Sequence, residues 1–113
     1  MIAVSTEGAA RVHATIPGDN NGHLVHHDGA LWVVGRSAHQ IFRVTMDGEV
    51  SVFAGSGEKG GADGEPRKAS FCYPNDLGWS PDGTVLYVND VANHESEGRI
   101  LGPTRIRRIF VQE

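Results

Sequence analysis

The chain reads as an all-β protein built of short antiparallel strands, and three observations carry that expectation. Its 113 residues include 15 glycines and five prolines, spread along the whole length, which favours frequent turns over long helices. Short apolar runs alternate with clusters of Gly, Asp, Asn and Pro, the pattern of a meander. Most directly, residues 73–90, YPNDLGWSPDGTVLYVND, spell out a hairpin with strands at 77–80 and 85–89 around Pro81-Asp82-Gly83. Asp-Gly between apolar runs signals such a turn, because Gly takes the positive φ it requires. The length suits one domain with a modest core.

In chain order, Glu7-Gly8 forms a turn, and the alternation of Ala10, Val12, Ala14 and Ile16 predicts a strand over 9–16, stopped by Pro17-Gly18. After a loop at 19–22, strands follow at Leu24-Val25, Leu31–Val34, 40–44 and 49–54. The joins are Asp28-Gly29, a polar loop at 35–39, and Met46-Asp47-Gly48. Residues 55–70, GSGEKGGADGEPRKAS, are nearly free of apolar side chains and form a loop, since such a segment buries too little to offset its ordering entropy. The G-x-G-x-x-G match at 55–60 has no helix after it and no βαβ context, so it signals no dinucleotide site. The run at 85–88 is apolar throughout, as in a strand covered on both sides. A longer loop at 91–103 leads to a strand at 105–109.

The two halves repeat. Placing Asp28-Gly29 on Asp82-Gly83 sets Asn21 on Asn75 without a gap. With one extra residue in the second turn, Leu31-Trp32-Val33 falls on Leu86-Tyr87-Val88, and 40–44 falls on 105–109. Each unit is a meander near the roughly 40–50 residues of a propeller blade. The expected organisation is a first blade at 19–55, an inter-blade loop at 56–72 and a second blade at 73–113. The strand within 1–18 completes one of the blades. Trp79 is expected between the blades, with Trp32 and Tyr87 facing equivalent directions.

Composition bounds the partners. A net charge of −4 with 21% charged residues offers no global field for nucleic acid or acidic membrane. Arg99, Arg105, Arg107 and Arg108 form a local basic patch, but Arg107 and Arg108 fall on opposite strand faces without interleaved aromatics. No nucleic-acid or membrane partner is expected. Residues 1–6 lack signal-peptide features, no run is long enough to span a bilayer, and the lone Cys72 allows no internal disulfide. A cytoplasmic protein is expected. Cys72 stands between Phe71 and Tyr73, the setting of a packed thiol, and no Gly-x-Ser-x-Gly elbow occurs. In a strand, His23 and His27 share a face while His26 points away. A metal site there needs a third ligand, His39 or Asp28, so these read as exposed strand and turn histidines.

PNDLGWSPDGTVLYVND, and more weakly NGHLVHHDGALWVV, resemble blades of NHL-repeat propellers and of the senescence marker protein/gluconolactonase family. The join VFAGSGEKGGADGEPRKASFCYPND does so as well, and the resemblance covers 22–109. It implies a propeller, usually of six blades, with a divalent cation, commonly calcium, held at the top of the central channel by Asn, Asp and Glu. Such an ion polarises a lactone carbonyl and activates water. The Asn of Pro-Asn-Asp carries over onto Asn75, with Asn21 at the equivalent place in the first copy; Asp76 and Asp90 are the nearby acidic candidates. Gly35 stands where Asp90 stands in the second copy, and no residue matches the family's ligating Glu. The plainer reading has Asn75 and Asp76 satisfying the backbone where a strand begins.

Two functions stay open: a module binding a small ligand or protein at the axial face without turnover, and a calcium-dependent lactonase. The incomplete acidic set favours the first. Because two blades leave bare faces and unpaired edges, the expected assembly is a homotrimer forming a six-bladed ring.

Overall fold

The computed structural model describes residues 1–91 and 104–111. Among these the regular structure is entirely β, in three antiparallel sheets. A hairpin pairs β1 (Ile2–Val4) with β2 (Ala10–Val12). A four-stranded sheet runs in the order β3 (Asn21–His27), β4 (Ala30–Gly35), β5 (Gln40–Thr45), β6 (Val50–Ala54). A three-stranded sheet follows as β7 (Pro74–Trp79), β8 (Val85–Val91), β9 (Thr104–Phe110). No helix among the described residues is long and apolar enough to cross a membrane. The loop expected at 91–103, with Arg99, falls outside the described residues except for Val91.

Turn chemistry explains where the two sheets agree and where they slip. Asp28 and Gly29 both take positive φ, 50° and 73°, which closes β3 onto β4 with His27 opposite Ala30. That conformation is the two-residue turn whose twist matches its strands. Pro81 cannot follow it, because its ring fixes φ near −65°. The second turn therefore needs Pro81, Asp82, Gly83 and Thr84, with Gly83 at φ 74° and Ser80 N–H bonded to Val85 O at 2.8 Å. It is two residues longer than the first, not one.

The consequence is a shift in the first strands. Leu31 faces Val44 as Leu86 faces Ile109, so the outer strands repeat in the expected register. Val33 faces Leu24, however, while Val88 faces Leu77. Asn21 stands opposite Gly35, and it is Pro74, not Asn75, that stands opposite Asp90. The gapless alignment of Asn21 on Asn75 is off by one residue. Both first strands carry an irregularity at this end, where a bulge shifts the pairing.

The N-terminal segment also departs from expectation. The strand predicted over 9–16 is confined to Ala10–Val12, and its partner is β1 rather than the second sheet. Ala14 and Ile16 leave the strand and pack, with Met1, on one face of the four-stranded sheet against Val33, Phe42 and Val44. The opposite face of that sheet, Val34, Ile41 and Ala54, packs on Phe71, Leu86, Val88 and Ile109. Alternation along each strand makes both faces possible, and each buried aliphatic side chain contributes about 1.5–3 kcal/mol. The first strands of the two sheets, β3 and β7, are neighbours. Gly22 permits this approach: a Cβ there would lie 2.5 Å from Asn75 O.

Trp79 is half-buried, stacked on His27 at 4.3 Å and edge-on to Trp32 at 4.9 Å. Trp32 and Tyr87 do occupy matching positions, but Trp32 is covered and Tyr87 is 40% exposed. The outward face of the three-stranded sheet, which carries Tyr87, Ile106 and Phe110, meets solvent.

Candidate functional site

The expected site residues gather near the starts of β3 and β7, which run side by side, but they do not form one constellation. The residue that organises this corner is Arg36, directly after β4 in the polar turn at 36–39. Its guanidinium crosses to the other sheet, where Nη2 donates to Asn75 Oδ1. Nη1 reaches Asn20 Oδ1 at 3.5 Å, and the guanidinium carbon lies 5.8 Å from the Tyr73 ring centre. Asn20 Nδ2 donates to the Tyr73 hydroxyl at 2.9 Å. Ser37 steadies the arrangement: its Oγ accepts the N–H groups of Asp19 and Asn20, each at 3.2 Å. Arg36 Nε is buried and makes no hydrogen bond.

Asn75 lies within β7 at its bulge and is partly buried. Asn21 is exposed at the start of β3. Asp76 is exposed as well. Its carboxylate accepts the Leu77 N–H at 2.8 Å, and its own N–H donates to Asn89 Oδ1 at 2.7 Å. That is the backbone-satisfying role of Asn and Asp where a strand begins.

Asp90 has a different task. Only 2% exposed, it accepts the N–H groups of Cys72, at 3.0 and 3.1 Å, and of Tyr73 at 2.9 Å. Arg107 Nη1 closes the set at 3.1 Å. The same guanidinium donates to Ser70 O, Ala62 O and Asp63 Oδ1, at 2.9, 3.0 and 2.8 Å. The Gly-rich loop is thus tied to β8 and β9 by one arginine. In the first sheet the matching positions hold Gly35 and Phe42, and the ring covers the glycine so closely that a Cβ would lie 2.5 Å from Phe42 Cε2.

Calcium needs six to eight oxygen ligands around one point. Here Asn75 Oδ1 is taken by a guanidinium, and the Asp90 oxygens are taken by two backbone amides and a second guanidinium. Among the described residues no three His, Cys, Asp or Glu side chains converge as metal ligands would. The residues present do not fit a calcium ion, because a protein cation already holds the asparagine that would anchor it.

The histidines are dispersed. His23 and His26 are exposed, and His27 stacks on Trp79. His39, at φ 58°, donates from Nδ1 to Cys72 O at 2.8 Å and so bridges the sheets. Cys72 is buried. Arg107 points inward and Arg108 is exposed, on opposite faces as their adjacency requires. Sequence reasoning missed Arg36, Asn20 and Tyr73. The signal nearest to them was the Gly35–Asp90 mismatch between the copies, one residue from Arg36.

No protein-family model matches the chain, and no curated protein matches it.

Proposed function

We propose that this chain is a two-blade unit of a β-propeller whose work is binding rather than turnover, and that its ligand meets the inner edge of the blade junction. One observation supports the reading: the Arg36 guanidinium is held by Asn75 and Asn20 over Tyr73, and so engages the asparagine onto which the resemblance carries a metal ligand. A planar guanidinium beside amide and phenol groups suits a carboxylate or another anionic group on a small ligand or protein partner. It provides neither a Lewis acid nor an activated water.

The ring is supported by the repeat. The first sheet lays one face on the second, and the matching face of the second, with Tyr87, Ile106 and Phe110, lies open. Copies joined in the same sense close a ring when the rotation per copy permits, and three copies give about six blades.

Calcium titration followed by thermal melting and a lactone-hydrolysis assay tests the reading. The expected result is no calcium-dependent rise in melting temperature and no turnover. Saturable calcium stabilisation with hydrolysis, lost in Asn75→Ala, would instead establish the metal-dependent alternative.

A further inference from the structure

Among the described residues, Asn21 is the asparagine followed by glycine, and the asparagine whose side chain makes no hydrogen bond. The other amides are tied. Asn20 Nδ2 donates to the Tyr73 hydroxyl at 2.9 Å, Asn75 Oδ1 accepts from Arg36, and Asn89 Oδ1 accepts the Asp76 N–H at 2.7 Å. Asn21 is exposed. The bulge at the start of β3 sets Gly22 and His23 against Val34 alone, so Asn21 and Gly22 lie where the paired ladder is broken. Glycine also has no Cβ to shield its backbone nitrogen.

Such a pair reacts with water. The Gly22 backbone nitrogen gives its proton to hydroxide and attacks Cγ of Asn21. A C–N bond forms and closes a cyclic succinimide, while the Cγ–Nδ2 bond breaks and ammonia leaves. Water then opens either carbonyl of the ring, leaving aspartate or isoaspartate. The net change is amide plus water to carboxylate plus ammonium, and the chain gains one negative charge.

That charge would arise beside the arginine described above. Arg36 borders the residues on both sides of Asn21: its Nη1 reaches Asn20 Oδ1 at 3.5 Å, and its Nε lies 3.2 Å from where a Cβ of Gly22 would stand. We propose that Asn21 is a deamidation site, and that its conversion weakens carboxylate binding at Arg36; the second half rests on the reading of Arg36 as the anion site. A carboxylate at position 21 gives the guanidinium a tethered competitor for any anionic ligand. Isoaspartate also lengthens the backbone by a methylene group between Asn20 and Gly22, which pulls the guanidinium away from one of them.

The full chain, incubated folded at mildly alkaline pH, is digested and mapped by mass. Amide loss changes the mass, whereas isomerisation at the Asp-Gly pairs does not, so the two are separated. Asn21 should lose its amide ahead of Asn20, Asn75 and Asn89. Asn21→Gln, which would have to close a larger ring, should abolish the change. An Asn21 that stays intact, even while the urea-unfolded chain loses its amide, overturns the modification. Succinate titration by calorimetry reads the second half. Asn21→Asp and the aged chain should bind succinate several-fold more weakly than the fresh chain, and Asn21→Gln should bind as the fresh chain does. Equal affinity in all forms, lost in Arg36→Ala, overturns the regulation and leaves the Arg36 reading standing. Failure of the fresh chain to bind succinate overturns that reading and the regulation together, and the mass map still decides the modification.

Discussion

The carboxylate of Asp90 lies 3.1 Å from Nη1 of Arg107, across β8 and β9, with side-chain exposures of 3% and 10%. The Asp90 oxygens also accept two backbone N–H groups, so the pair is hydrogen-bonded as well as charged. Removing one partner of a buried pair costs about 3–5 kcal/mol, mostly from the charge left behind. Arg107→Ala should fall in that range in urea unfolding and should free the loop at 60–70, read as faster amide exchange there. A loss below about 1 kcal/mol, the size of an exposed pair, would contradict the role assigned to it.

Trp79 joins His27, Trp32 and the inter-sheet core, yet its Nε1 is buried without a hydrogen-bond partner. Trp79→Ala should cost about 3 kcal/mol, toward the low end for a large aromatic because the residue is only half-buried. Trp79→Phe should cost much less, since it deletes the unsatisfied donor while keeping a ring. Equal losses in the two variants would count against this account.

Asp82 governs the second turn. Its Oδ1 accepts from Ser80 Oγ at 2.7 Å, from Thr84 Oγ1 at 2.8 Å and from Thr84 N–H at 3.1 Å. These bonds, that of Ser80 first, hold its carboxyl below the ordinary 3.8. A pKa depressed by folding means stability that is present above 3.8 and lost as pH falls through the lower folded value. The difference in melting temperature between the unaltered chain and Asp82→Ala should therefore be largest near neutral pH and shrink on acidification. A constant difference across that range would show that the turn does not depend on the ionised carboxylate.

Much of this was legible in the sequence, and the exceptions have physical reasons. Asp28-Gly29, the alternation of the strands and the register of β4–β5 against β8–β9 follow from turn chemistry and from periods of two. The length of the second turn did not, because Pro81 changes the turn type while leaving Asp-Gly in place. β1 was missed because a three-residue strand gives too short an alternation to detect. The Arg36–Asn75 contact joins a polar loop to a strand 39 positions away, and only the packing of β3 beside β7 reveals it. In the sequence Asp90 groups with Asn75 because both flank the same hairpin, but its side chain turns toward Arg107 and the backbone of Cys72 and Tyr73.

The proposed ring requires several copies of the chain, so the mass in solution decides it. Light scattering at micromolar concentration should return an assembly, with three times the 12.1 kDa of one chain as the expected value. A stable species of 12.1 kDa under the same conditions would contradict it.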